Sequence, residues 1–179
     1  RKLAEQQIKQ LAFYDPLTQL PNRRMLQERL QHSIDVDRRN DKQLALLMLD
    51  LDRFKVVNDS LGHLSGDELL QQIATRITAN LRDVDMLARL GGDEFVVLLE
   101  DITHLEDAAR VAEKIITNLT KPFCLTQSDN VQIGASIGIS IYPQHGDTPE
   151  LLMTHADAAL YQAKDSGRGC FAYFSEHLT

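Results

Sequence analysis

The run Arg89-Leu90-Gly91-Gly92-Asp93-Glu94-Phe95 constrains the fold of this chain more than any other segment. It places two glycines and two adjacent carboxylates between an apolar-leaning stretch, Asp85–Leu90, and a β-rich run, Phe95–Leu99. Glycine pairs suit the positive φ angles of two-residue hairpin turns, and they let a ligand approach the main chain closely. The segment therefore predicts a tight β-hairpin whose tip carries Asp93 and Glu94.

An acidic turn of this kind has two interpretations. A Gly-Gly-Asp turn in isolation is most often an ordinary polar turn at the surface. Adjacent carboxylates held on a turn also repel each other, and a divalent cation with oxygen ligands and bound phosphates relieves that repulsion. A second acidic stretch elsewhere in the chain favours the cation site.

That second stretch contains Asp50 and Asp52, at the carboxyl end of the apolar run Leu44–Leu51. The run predicts a central strand covered on both faces, and ligands dock at such strand ends in α/β sheets. If the strand continues, its period of two puts both carboxylates on one face; if the chain turns, Asp52 ends the strand and caps the next helix. Together with the hairpin, the pair predicts a two-metal site for phosphoryl-group chemistry.

Composition restricts the class of protein. The 179 residues are enough for one domain with a substantial core, and 43% hydrophobic with 25% charged residues is an ordinary globular balance. The net charge of −7 argues against a general binder of nucleic-acid polymers or anionic membranes, but it permits a local basic pocket for one nucleotide. Cys124 and Cys170 have no CxxC or His-Cys spacing, which argues against a disulfide framework or a zinc site.

The same sequence has no signal peptide and no apolar stretch long enough to span a bilayer. We therefore expect a soluble cytoplasmic domain without direct membrane contact, which is compatible with the cytoplasmic part of a membrane-anchored sensor. Because the chain starts without methionine on a polar helical stretch, we expect a piece of a larger protein. The expected organisation is a linker helix over residues 1–13, one domain over residues 14–175 and a second linker starting at 176–179.

Hydrophobic periodicity predicts the remaining elements. Strands and helices mix without strict βα alternation, which predicts an α+β fold with a mixed central sheet flanked by helices. The predicted helices are Arg1–Leu11, one starting near Asn22 with Met25, Leu26, Leu30 and Ile34 on its inner face, Phe54–Leu61, one starting near Ser65 or Gly66, Leu105–Leu119 and Glu150–Lys164. The predicted strands besides the hairpin are Leu44–Leu51, Phe123–Leu125, Val131–Ile141 and Phe171–Phe174.

Five motifs in order give the chain a resemblance to a known family. It resembles a GGDEF domain, the catalytic domain of diguanylate cyclases, from about Asp15 to Phe174. The resemblance implies a fold like those of nucleotidyl cyclases and polymerase palms, and condensation of two GTP into cyclic di-GMP and two pyrophosphates. The motifs are Asp15–Arg24, Asp50–Asp59, Gly62-His63 through Gly66-Asp67, the hairpin, and Ala156–Lys164.

The resemblance implies a set of metal ligands. Asp50, the carbonyl of Leu51 and Asp93 would bind Mg²⁺, two ions per active site, with Mn²⁺ as a substitute. Asp93 would also accept the proton of the 3′-hydroxyl, and Glu94 would support the metal site. Lys55 would stabilise charge on the phosphates in the transition state.

The resemblance also implies substrate contacts. Backbone amides near Phe54 begin a helix, which is a ready phosphate site. Asn58 and Asp67 would read guanine, and His63 would help to hold the substrate. By itself His63 is more often a helix-terminus residue. The phosphate-binding pair is Lys164 and Arg168, which without the resemblance would be a solvated helix end placed favourably against the helix dipole.

Arg82 and Asp85 form an Arg-x-x-Asp pattern, for which a surface salt bridge is the default explanation. Their distance before Gly91 matches the inhibitory site of the family, where both residues would bind guanines of the product. Arginine suits the O6 and N7 acceptors of guanine. Arg89 aligns with a further arginine of this site. The resemblance therefore predicts feedback inhibition by cyclic di-GMP.

The preferred hypothesis is an active cyclase in which two protomers, each with one GTP, face each other as a homodimer. An alternative is a non-catalytic domain that binds GTP or cyclic di-GMP as a sensor. Such domains usually lack intact hairpin, metal or phosphate positions, and none of these is damaged here. A purely structural dimerisation module would leave the paired acidic positions unexplained.

Overall fold

A computed structural model describes residues 2–176, which form a five-stranded mixed sheet with helices on both faces. The strand order is β2-β3-β1-β4-β5; β1 is antiparallel to β3 and β4, and β5 is parallel to β4. The predicted α+β class is confirmed. In chain order the elements are α1 Lys2–Phe13, α2 Arg23–Asn40, β1 Gln43–Asp52, α3 Phe54–Leu61, α4 His63–Thr78, β2 Met86–Gly91, β3 Glu94–Ile102, α5 Leu105–Leu119, β4 Gly134–Tyr142, α6 Pro149–Asp165 and β5 Phe171–Tyr173.

The central strand β1 is covered on both faces, as its continuous apolar run predicts. Its odd-numbered residues, from Ala45 to Leu51, pack with α3, α4 and α5. Its even-numbered residues, from Leu44 to Met48, pack with α2 and α6. Because the strand continues to Asp52, Asp50 and Asp52 share the face that is turned towards α6.

Helix α6 packs directly on strand β4, and this close contact determines the distance between the C-terminal end of the helix and the sheet. A Cβ atom on Gly138 would lie 2.1 Å from the carbonyl oxygen of Ala156 and from the backbone nitrogen of Leu160. No side chain larger than glycine fits there unless the helix moves away from the strand. Lys164, in the last turn of α6, is thereby held over the end of β1.

Three of the predicted element boundaries were wrong. Strand β4 begins at Gly134 rather than at Val131. Helix α4 begins at His63 rather than near Ser65, because Gly62 (φ 91°) both ends α3 and precedes α4. The predicted strand Phe123–Leu125 is only an isolated bridge between Phe123 and Val131. Phe123 is fully buried, so its apolar character reflects core packing. It exchanges two backbone hydrogen bonds with Val131, and within residues 2–176 this pairing is not extended into a ladder.

The predicted inner face of α2 is largely confirmed. Leu26, Leu30 and Ile34 are fully buried, whereas Met25 is only partly buried against the same cluster. Asn22 caps this helix, because its Oδ1 accepts a hydrogen bond from the Met25 amide at 3.1 Å.

The N-terminal helix α1 has no buried residue, and Leu3, Ile8 and Leu11 are exposed. The predicted linker over residues 1–13 and the other domain boundaries stay predictions. Of the expected second linker, residues 177–179 lie outside the described residues. Within residues 2–176, no helix combines the length and hydropathy that a bilayer crossing requires.

Candidate active site

The turn between β2 and β3 is the two-residue hairpin that the sequence predicts. Gly92 and Asp93 form the turn, and Gly91 pairs with Glu94 across it. Gly91 and Gly92 have φ angles of 142° and 50°, which side chains rarely tolerate. Asp93 is partly buried at the tip, whereas Glu94 is exposed.

Strand β1 brings Asp50 beside this turn. Asp50 is the register partner of Glu94, and the Leu51 amide donates to the Asp93 carbonyl oxygen at 3.3 Å. Burial, and then the neighbouring Asp50 carboxylate, raise the pKa of Asp93 to about 6, with a smaller contribution from Glu94. The two acidic stretches therefore converge.

The Asp50 carboxylate is only half satisfied by the protein. Its Oδ2 is ion-paired with the Lys164 ammonium, and its buried Oδ1 has no hydrogen-bond partner. A buried, unpartnered carboxylate oxygen next to a second carboxylate is costly unless a cation or donor reaches it. Carboxylate oxygens on neighbouring strands suit Mg²⁺, so the residues present fit the predicted ion.

The number of acidic side chains at this edge is also typical of magnesium. Within residues 2–176, no three His, Cys, Asp or Glu side chains are arranged to hold a metal ion together. Mg²⁺ is usually bound through one or two carboxylates, with water and substrate phosphates completing its shell.

Helix α3 begins immediately after this edge of the sheet. It follows Arg53, which has a φ angle of 69°, and no side chain caps its first turn. Uncapped amides at a helix start bind phosphate readily. Phe54 is buried and anchors that turn in the core, and Lys55 is exposed beside it.

The three predicted guanine-side residues lie around the contact between α3 and α4. A Cβ atom on Gly66 would lie 1.7 Å from Asn58 Oδ1, so only glycine allows Asn58 to pack against α4. Asp67 follows Gly66, and His63 begins the same helix; both side chains are exposed. The fold thus groups Asn58, His63 and Asp67, which are spread over ten positions in the sequence.

Arg89, which the resemblance implies for the product site, has its hydrogen-bond partners within the chain. Its Nη1 contacts both carboxylate oxygens of Asp15 at 2.9 and 3.1 Å, and its Nε and Nη2 donate to the Gly92 carbonyl oxygen at 3.1 and 2.8 Å. Both side chains of the ion pair are nearly buried. Arg89 therefore ties the loop after α1 to the turn that carries Asp93.

Asp15 was missed as a site residue. Burial acts against its charge, but hydrogen bonds from Thr18 and the Arg89 guanidinium lower the pKa of Asp15 below its usual value. The signal was present in the Asp15-Pro16-Leu17-Thr18 loop, whose Asp and Thr spacing is typical of a side-chain-capped turn. Its partner 74 positions away was not readable from the sequence.

Arg82 and Asp85 form the ion pair that their spacing suggests. Asp85 accepts from Arg82 Nη2 and Nε at 2.9 and 3.1 Å, from the Arg82 amide at 2.9 Å and from the Glu100 amide at 3.2 Å. The Asp85 side chain is 2% exposed, whereas that of Arg82 is 56% exposed. A cleft of about 460 Å³ borders both residues.

Comparison with known proteins gives a consistent result. The family profile described as "Diguanylate cyclase, GGDEF domain" matches residues 12–170. The bifunctional diguanylate cyclase/cyclic di-GMP phosphodiesterase MucR of Pseudomonas aeruginosa is 47% identical over 98% of this chain and 25% of its own length. The diguanylate cyclase TpbB of the same organism is 46% identical over 88% of this chain and 36% of its own length.

The fold matches as well. The solved GGDEF domain of TpbB, also named YfiN, superposes with a TM-score of 0.90 at 43% identity, over 92% of this chain and 96% of that one. The chain thus spans about a quarter to a third of the length of the full-length relatives, and nearly all of their isolated domain.

Proposed function

The chain belongs to the GGDEF domain family of diguanylate cyclases, and from that membership we propose that it condenses two GTP into cyclic di-GMP and two pyrophosphates. The observation that carries the proposal is the convergence of Asp50 and Asp93, with one Asp50 oxygen buried and unpartnered. Two such carboxylates at a strand end, beside an uncapped helix start, suit a nucleoside triphosphate with its metal ions.

Asp50, the Leu51 carbonyl and Asp93 would hold Mg²⁺ or Mn²⁺, which when bound supplies Lewis-acid stabilisation of phosphate charge. Asp93 accepts the proton of the attacking 3′-hydroxyl. Glu94, exposed beside it, adds negative charge to the metal site.

Basic groups surround this edge where the phosphates would lie. The amides at Phe54 and the exposed Lys55 approach from α3, and Lys164 approaches from α6 through its contact with Asp50. Arg168 follows α6 and leaves more than half of its side chain exposed. Asn58, Asp67 and His63 would contact guanine at the other end of the substrate.

The reaction requires two protomers, because each contributes one nucleotide and each 3′-hydroxyl attacks the α-phosphate of the other. We therefore propose that activity depends on a homodimer and is second order in protomer at low concentration. The proposed partners are GTP and cyclic di-GMP, without a nucleic-acid polymer.

We also propose that product binds at Arg82 and Asp85 and inhibits turnover. The exposed guanidinium of Arg82, held by a buried carboxylate, supports this role. Arg89 would join the product site only by leaving Asp15 and Gly92.

Incubation of the purified protein with GTP and Mg²⁺, followed by chromatography, tests the main proposal. We expect cyclic di-GMP in the wild type and none in Asp93→Ala. Asp147→Ala is the matched control, because Asp147 is exposed beyond the opposite end of β4 and should leave turnover intact. The assay is repeated with a dimeric coiled coil fused before Arg1; absence of product there as well would refute catalysis and favour the sensor alternative.

Product inhibition is tested by adding cyclic di-GMP to the wild type and to Arg82→Ala. We expect the variant to keep turning over at product concentrations that stop the wild type. Arg38→Ala, an exposed arginine on α2, is the control and should remain inhibited. Equal sensitivity of Arg82→Ala and wild type would contradict the proposal.

A further inference from the structure

Asp52 lies two residues after Asp50 on the same face of β1, but both of its carboxylate oxygens have partners within the chain. Its carboxylate accepts from Ser136 Oγ at 3.0 Å and from the Gly169 amide at 3.0 Å, and Arg168 Nη1 lies 3.5 Å from Oδ1. Its side chain is only 8% exposed. Both carboxylate oxygens of Asp52 are therefore engaged by the chain, in contrast to Asp50 Oδ1.

The segment that Asp52 contacts is an unusual turn. Gly167, Arg168 and Gly169 have φ angles of 113°, 64° and 62° in succession. The left-handed region costs a residue with a side chain roughly 1–2 kcal/mol, so Arg168 needs neighbours that hold it there. The hydrogen bond from the Gly169 amide to Asp52 Oδ2, and the bond from the Arg168 amide to the Ala163 carbonyl oxygen at 3.2 Å, hold both sides of this residue.

The two acidic residues of β1 contact the two basic residues near the C-terminal end of α6. Asp50 is ion-paired with Lys164, in the last turn of α6, and Asp52 is ion-paired with Arg168, in the left-handed turn that follows the helix. This match ties both cations to one strand.

The Arg168 guanidinium has one side against Asp52 and remains 57% exposed. It borders a cleft of about 380 Å³ that is also lined by Arg53, at the start of α3, and by the Gly167–Gly169 turn. Arg168 and Arg53, the residue immediately before α3, therefore border the same space. An anion in that cleft would meet a guanidinium that is ion-paired with Asp52 on its other side.

From these contacts we infer that Asp52 is a positioning residue, which holds Arg168 and its turn in the geometry that binds the terminal phosphates of the nucleotide. The inference rests on the proposed function, because that function supplies the triphosphate. It assigns different tasks to two carboxylates on one strand: Asp50 faces the metal ion, and Asp52 orients the arginine.

Whether loss of the Asp52 charge strengthens or weakens triphosphate binding separates a positioning role from a simple electrostatic one. Removing a negative charge close to a phosphate site should strengthen the binding of a triphosphate. Loss of positioning should weaken it. Asp52→Asn has nearly the same size and removes the charge that orients Arg168. Asp165→Asn is the matched control, because Asp165 is exposed three residues before Arg168 and its loss changes the net charge equally.

Equilibrium binding of GTP and GMP with Mg²⁺, together with kcat and KM, tests the inference. We expect Asp52→Asn to weaken GTP binding about tenfold, the loss of one well-oriented charged contact, and GMP binding less than about twofold. The KM for GTP should rise while kcat at saturation stays close to the wild-type value. Arg168→Ala should show the same pattern, and the double variant should be no weaker than Arg168→Ala alone. Asp165→Asn should bind GTP as tightly as the wild type or more tightly.

Amide exchange of Gly169 gives a readout that needs no nucleotide. We expect faster exchange in Asp52→Asn and in the milder Ser136→Ala, with wild-type protection in the core strands. Asp52→Asn that binds GTP as tightly as wild type would overturn the inference, as would equal weakening for GTP and GMP. Failure of the wild type itself to bind GTP would refute the proposed function, a result that is distinct from an unchanged Asp52→Asn.

Discussion

The two ends of the β2–β3 hairpin carry acidic residues in opposite states. At the open end, the Asp85 carboxylate accepts four hydrogen bonds from Arg82 and the Glu100 amide. At the turn, Asp93 faces Asp50, and Asp50 Oδ1 has no partner. A carboxylate satisfied by its own chain stabilises the fold, whereas a pair left in mutual repulsion stabilises it only when an outside cation is present.

A third acidic residue shows that repulsion by itself does not identify a site. Burial, with the nearby charges of Glu100 and Asp101, raises the pKa of Asp37 to about 6, and its Oδ2 is also unpartnered. Asp37 lies near the C-terminal end of α2. What distinguishes Asp93 is that strand β1 with Asp50, the start of α3 and Lys164 in the last turn of α6 meet at the same edge of the sheet.

The largest expected effect is that of Asp93→Asn on turnover. Loss of a general base alone typically costs 10²–10⁴-fold, so we expect activity to fall by about a thousandfold or more. The melting temperature at pH 7 should stay the same or rise, because the repulsion with Asp50 is removed. Calorimetry measures the melting temperature, and the chromatographic assay measures turnover. A large drop in melting temperature would contradict the view that Asp93 and Asp50 repel each other in the protein without a cation.

Arg89→Ala should have an intermediate effect on both properties. The Gly92 carbonyl oxygen loses two donors, and Asp15 is left nearly buried without its cation. We expect about 2 kcal/mol less stability towards urea and roughly tenfold lower activity, because the turn that carries Asp93 loses its support. Arg38→Ala, at an exposed position, is the control. Full activity in Arg89→Ala would show that the turn needs no such tie.

Asp85→Asn should affect stability in the opposite direction from Asp93→Asn. The asparagine amide faces donors from Arg82 and Glu100, so buried groups lose their partner at a cost of about 2 kcal/mol. Urea unfolding at pH 7 measures the difference. A variant as stable as the wild type would show that the open end of the hairpin does not depend on this carboxylate.

The smallest effect is expected for Asp37→Asn and depends on pH. Because the folded-state pKa of Asp37 is raised from 3.8 to about 6, its contribution to stability is fully present below pH 3.8 and is lost as the pH rises through 6. We therefore expect the variant to be more stable than the wild type at pH 8, by roughly 1–2 kcal/mol, and the difference to shrink by pH 5. The exposed Asp35→Asn on the same helix should show no such trend.

Local patterns predicted most helices and strands, together with the hairpin. Continuous or periodic apolar runs determine which face is buried, and the glycine pair allows only a narrow set of turns. The prediction of a strand failed at Phe123. Aromatic and apolar residues are typical of both strands and cores, and Phe123 is fully buried but pairs with Val131 only as an isolated bridge.

By itself, the sequence determined that acidic residues end one strand and occupy the next turn, because both features depend on neighbouring residues. Only the tertiary structure decided how each charge is used. Asp52 is satisfied by Ser136 and Gly169, 84 and 117 positions away, and Arg89 is drawn to Asp15 across 74 positions. Which residues become partners depends on how distant segments pack together. The sequence next to Asp52 or Arg89 therefore does not predict them.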